Sequence, residues 1–153
     1  MRRLALLLLL AAAPALGQGV NSASAPKPRI LGGGPVTPIT GGNALYLQVG
    51  GSDISGDVND VATPLPAGRA RRLRCSVSVA PGSGKSVTLT LQTGVCGTAL
   101  ADSALTCTTS NTSTTSNDST NTVSVPAGTC VAVKATYSSG AATSMPRFSL
   151  EFG

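Results

Sequence analysis

The stretch from Ala70 to Gln92 constrains this chain more than any other. Leu73, Cys75, Val77 and Val79 alternate with Arg72, Arg74, Ser76 and Ser78. After a Pro-Gly-Ser-Gly break, Val87, Leu89 and Leu91 alternate with Ser86, Thr88 and Thr90. A period of two gives a strand one buried and one wet face. Two such runs about a Pro-Gly turn predict a hairpin, and with it an antiparallel β domain. Shorter runs at Ala44–Gly50, Val61–Leu65, Thr120–Val125, Thr129–Tyr137 and Arg147–Phe152 carry the pattern on. The expected fold is an all-β, antiparallel β-sandwich or jelly roll of about seven or eight strands.

The two ends of the chain differ in kind. Residues 1–17 read as a secretory signal peptide: Arg2 and Arg3, an apolar run from Leu4 to Ala13, then the small-residue pattern Ala15-Leu16-Gly17. Residues 18–43 hold Pro26, Pro28, Pro35 and Pro38 around three successive glycines, and read as an extended arm or linker. Residues 44–153 form the predicted sandwich domain. The leader predicts a secreted protein, extracellular or at the cell surface. No later apolar run is long enough to span a bilayer. Without the leader, nine Lys and Arg face six Asp and Glu, a bias of +3.

Cys75, Cys96, Cys107 and Cys130 follow the leader, and an even count in an exported chain predicts two disulfides. Three pairings exist. The short interval favours Cys96–Cys107, which leaves Cys75–Cys130. Register opposes the second bond: Cys75 shares a face with Leu73 and Val77, whereas Cys130 shares parity with Lys134 and opposes Val131 and Val133. A bulge after Pro126-Ala127-Gly128 would re-aim it.

Three features invite a functional reading. Ile30, Leu31, Val36 and Ile39 dot the arm, which suits a segment that adds a strand to a neighbouring subunit's sheet. Asp53, Asp57 and Asp60 share one loop and offer oxygens for calcium, but their spacing matches no EF-hand, and a solvated loop in which Asp and Gly make turns is the favoured reading. Arg69, Arg71, Arg72 and Arg74 form a basic patch, read either as a site for an anionic glycan, lipid head group or nucleic acid or as the guarded edge of a sheet. Nucleic acid is disfavoured, because no aromatic residues interleave for base stacking.

Enzymatic chemistry is poorly provided for. The chain has no His and one Glu, Glu151. No serine has a histidine base to activate it. Gly82-Ser83-Gly84-Lys85-Ser86 lacks the first glycine of a phosphate loop, since Val79 stands there, and it joins two strands.

The order of blocks PLPAGRARRLRCSVSV, APGSGKSVTLTL, ALTCT, NTVSVPAGT and VAVKAT resembles a β-domain of bacteriophage tail and fibre-associated proteins and of bacterial surface proteins. It is similar in outline to the tumour-necrosis-factor-like jelly rolls. The resemblance covers about Leu45 to Phe152, and it implies a structural or adhesive role within an oligomer. The expectation is a secreted, non-enzymatic, self-assembling subunit of an extracellular fibre, appendage or coat, with no cofactor beyond the calcium reading. Its partner is another copy of itself. The rival expectation is a module that binds surface glycans.

Overall fold

The computed structural model describes residues 27–40 and 44–153. The leader assigned to residues 1–17 lies outside them, as do residues 18–26 of the arm. Two antiparallel sheets face each other. One orders β1 (Arg29–Gly33), β10 (Pro146–Phe152), β5 (Gly68–Val77) and β8 (Thr115–Val125). The other orders β3 (Ile54–Ser55), β2 (Leu45–Leu47), β9 (Cys130–Tyr137), β6 (Gly82–Gly94) and β7 (Ala101–Asn111), with β4 (Thr63–Pro64) also on β9.

The sandwich therefore has ten strands where seven or eight were expected. One of the additional strands lies in the segment read as an arm, and β2, β3 and β4 are short pieces at one edge. If β2 to β4 are taken as one interrupted strand, the pairing is nested. β1 pairs β10, β2 pairs β9, β5 pairs β8, and β6 pairs β7. First meets last, and each following strand meets its counterpart from the other end. A ribbon folded over in this way into two packed sheets is a jelly roll.

The alternating runs at β5 and β6 do form strands, but they do not form a hairpin. β5 pairs β10 and β8 in one sheet, and β6 pairs β7 and β9 in the other. The intervening turn is a corner between layers. Pro81 is buried there and has no N–H to extend a ladder, while Gly82 at φ 102° turns the chain. Period-two alternation is satisfied equally by two strands of one sheet and by two strands whose inner faces look at each other. The Ser/Thr/Asn-rich segment from Thr108 to Thr122 behaves likewise. It supplies the end of β7 and most of β8, again in opposite sheets.

The core is aliphatic. Leu73 and Val77 from one sheet and Leu89, Leu91, Leu105 and Val133 from the other are buried, with Phe148, Phe152 and Tyr137 as its aromatic members. A second, smaller cluster sits on the outside of the six-stranded sheet. There Val58 and Val61 of α1 (Val58–Val61) cluster with Leu100, Cys130 and Ala132. This helix takes the place of the start of the strand expected at Val61–Leu65.

Both disulfides form, but with other partners than expected. The bonds are Cys75–Cys107 and Cys96–Cys130. Cys75 and Cys107 point inward from facing sheets and meet in the core. Cys130 points outward beneath α1, so it has no path through the sheet to Cys75. The parity of Cys130 argues against a bond to Cys75, and short loop length is a poor guide.

Part of the arm belongs to the sandwich. Arg29–Gly33 pairs in register with Phe148–Phe152 of the same chain, and Ile39 is buried and bridges Ser144. Leu31 packs against the core, whereas Ile30 and Val36 are exposed at 68% and 78%.

Candidate functional site: the outer face of the four-stranded sheet

Arg69, Arg71, Arg72 and Arg74 lie on β5, which has β10 on one side and β8 on the other. β5 is not an edge strand, so the guarded-edge explanation fails. The arginines stand on an open sheet face. Ala70 and Leu73 are both buried, though three residues apart, and a strict strand cannot bury both. A bulge resolves the conflict. The register slips between Arg71 and Leu73 against β8, and between Ser149 and Glu151 on β10. Arg72 takes up the extra residue at φ 53°. Both Arg71 and Arg72 consequently reach the outer face.

Glu151 answers them. Its carboxylate accepts from Arg72 Nη1 at 2.9 Å and from Arg71 Nε at 3.2 Å. The Arg72 hydrogen bond above all, with the two positive charges behind it, holds the Glu151 carboxyl below its ordinary value. The one glutamate is thus spent on a structural pairing.

Further along the face, cross-strand rows place Ser149, Arg74 and Asn117 side by side, then Arg147, Ser76 and Thr115. These residues line a shallow open groove of about 580 Å³. A second groove of about 210 Å³ shares Arg74 and Ser149 and runs on to Arg72, Glu151 and Ile30. Among the described residues, neither Arg74 nor Arg147 makes a salt bridge. The sequence reading missed Arg147, which is 73 positions from Arg74 and joins it only through the pairing of first, last and third ribbons. It also missed Thr115 and Asn117, which precede the strand expected from Thr120.

The loop aspartates have local roles. Asp57 caps α1, its Oδ1 accepting from the Asn59 backbone N–H at 2.9 Å. Asp60 accepts from the Ser55 hydroxyl. Asp53 is exposed, and its carbonyl accepts from Gln48 N–H at 3.0 Å. Among the described residues no three His, Cys, Asp or Glu side chains converge on a metal position. Asp57 and Asp60 are thus engaged within the loop itself. The Gly82–Ser86 stretch opens β6 through a bulge, where Gly84 N–H donates to Asn111 Oδ1 at 2.8 Å. No helix follows it.

Two further carboxylates do structural work that composition could not show. Asp118 is buried where β8 slips register. Its oxygens accept from the backbone N–H groups of Thr120 and Asn121 at 3.0 Å and of Thr106 at 3.2 Å, and from Asn121 Nδ2 at 2.9 Å. Burial raises its pKa, but the combined hydrogen bonds outweigh this and leave it below the ordinary value. Asp102 pairs with Lys134 and accepts from Gln92 Nε2 at 2.7 Å. The Lys134 hydrogen bond leads in lowering its pKa.

No family model, curated relative or solved structure matches the chain. Among the described residues no helix is long and apolar enough to cross a membrane. The two disulfides suit an oxidising environment such as the extracellular space.

Proposed function

We propose that this chain is a secreted, non-enzymatic structural subunit that assembles with copies of itself into an extracellular coat or fibre. The observation that carries the proposal is the state of its first described segment. Of the four large apolar side chains left exposed among the described residues, Ile30 and Val36 both lie between residues 27 and 40. Within its sheet, β1 is paired to β10 alone. Gly32 C=O accepts from Gly50 N–H, on the side away from β10, so the same side of Ile30 presents its backbone groups at the open edge. An edge with free hydrogen-bonding groups and an apolar side chain is suited to pair with another strand. The remaining chemistry supports a contact role, since Glu151, Asp102 and Asp118 are each engaged in holding strands together.

The test is assembly. Light scattering and negative-stain images of the full exported chain should show a multimer. Ile30→Glu together with Val36→Asp should reduce it to monomer without lowering the melting temperature. An unaltered particle size would remove the proposal. The double substitution Ile30→Cys with Glu151→Cys joins residues opposite each other in the β1–β10 register. A band at monomer mass on a non-reducing gel means the strand stays on its own sheet and assembly uses the open edge. A dimer or ladder means the segment is exchanged between copies.

A further inference from the structure

We infer that the outer face of the four-stranded sheet is a binding surface for an acidic polysaccharide, a sugar polymer bearing repeated carboxylate or sulfate groups. This goes beyond self-assembly: Ile30 borders the second groove, but the charges that carry the inference are Arg74 and Arg147, which the assembly edge does not use.

Charge is the first ground. Arg69, Arg71, Arg72, Arg74 and Arg147 lie on two neighbouring strands, and the one acid on the face is Glu151. Glu151 offsets part of Arg71 and Arg72. Arg74 and Arg147 make no salt bridge among the described residues. A like-charged cluster carries a cost in self-repulsion, and an anion laid across it would relieve that cost.

Shape is the second. The two grooves share Arg74 and Ser149, so they form one trough along β10 from Arg147 to Glu151. The four residue-to-residue steps from Arg147 to Glu151 make that trough roughly 13 Å long. It is open and shallow, which admits a chain passing through and suits a buried small molecule poorly.

Chemistry is the third. Between the two arginines stand Ser76, Thr115, Asn117 and Ser149, which supply donors and acceptors for sugar hydroxyls. Guanidinium forks match carboxylate and sulfate oxygens in pairs. A nucleic acid would look for aromatic platforms, and the sheet's two phenylalanines, Phe148 and Phe152, are buried on the opposite face.

The test uses the full exported chain and four defined probes: polygalacturonate, dextran sulfate, neutral dextran and poly-dT. Titration calorimetry at low and high salt reads the affinity. Binding to either acidic polysaccharide, weakened by salt and absent for neutral dextran, is the expected result. The carboxylated and sulfated probes tell which anion the face prefers. Arg74→Glu and Arg147→Glu should each weaken binding by about tenfold or more, as expected for a lost hydrogen bond to a charged group. Lys85→Glu, which removes the same charge at the β6 bulge, should change it less than about twofold by general screening alone. The milder Arg74→Gln and Arg147→Gln, with melting curves alongside, separate lost contacts from lost folding. The inference is overturned if neither acidic polysaccharide binds, if Lys85→Glu costs as much as Arg74→Glu, or if poly-dT binds more tightly than both.

Discussion

Cys75 and Cys107 are bonded across the interior, with Cα atoms 6.1 Å apart, and so tie an inner strand of one sheet, β5, to an outer strand of the other, β7. The second bond, Cys96–Cys130, joins the turn after β6 to the start of β9, strands already paired in one sheet. The two bonds span 32 and 34 residues, so a chain-entropy account gives each nearly the same stabilisation, roughly 3–4 kcal/mol. Their accessibility differs. Cys75 and Cys107 are buried, whereas Cys96 is exposed. A thiol reductant at low concentration should therefore open Cys96–Cys130 first. Alkylation followed by peptide mass analysis should find label on Cys96 and Cys130 while the other pair stays intact. Label appearing first on Cys75 and Cys107 would contradict the assigned pairing.

The Asp118 cluster should set part of the acid limit of the fold. Its folded pKa is depressed, so its contribution is present above the unfolded value of about 3.9 and is lost as pH falls through the lower folded value. Replacing it by Ala leaves three backbone N–H groups without their acceptor. The cost should be about 1–3 kcal/mol in denaturant unfolding at neutral pH. Asp118→Asn retains one acceptor oxygen and should lose less. Its unfolding midpoint should also depend less on pH below about 4 than that of the parent chain.

The way β1 is seated rests on a residue with no side chain. A Cβ on Gly33 would collide with the carbonyl oxygens of Gln48 and Gly51. Gly33→Ala should therefore loosen β1 while leaving the inner strands in place. Hydrogen exchange should report faster exchange over residues 29–33 and 148–152, with little change in β6 and β9. Uniform protection in the variant would show that the close approach is easily relieved.

The fold class was legible because alternation survives any arrangement of the strands. Leu73 to Val77 and Val87 to Leu91 announce buried faces whichever sheet they join. Which strands pair was not legible. That depends on partners far along the chain, as when β5 meets β10, and no local spacing encodes it. The disulfide pairing follows from the same information, because cysteines bond only when their faces meet. The parity of Cys130 gave a partial warning. The arginine face was half visible. Four of its members are neighbours in sequence, but Arg147 and the polar residues of β8 come to it only through topology.

Arg72 offers the sharpest check on the bulge that builds this face. The doubled arginine between Ala70 and Leu73 is its sequence trace, since two inward residues three apart need one residue to be absorbed. Arg72 absorbs it at φ 53°, a left-handed conformation that a β-branched side chain adopts poorly. Arg72→Val should cost about 1–2 kcal/mol from backbone strain. Arg72→Gly removes that strain while losing the same Glu151 contact. The glycine variant should therefore be the more stable of the two, and comparing them cancels the loss of the ion pair. Equal stability of the two variants in denaturant unfolding would mean that residue 72 is not held in the left-handed region. The outward placement of both Arg71 and Arg72 would then need another explanation.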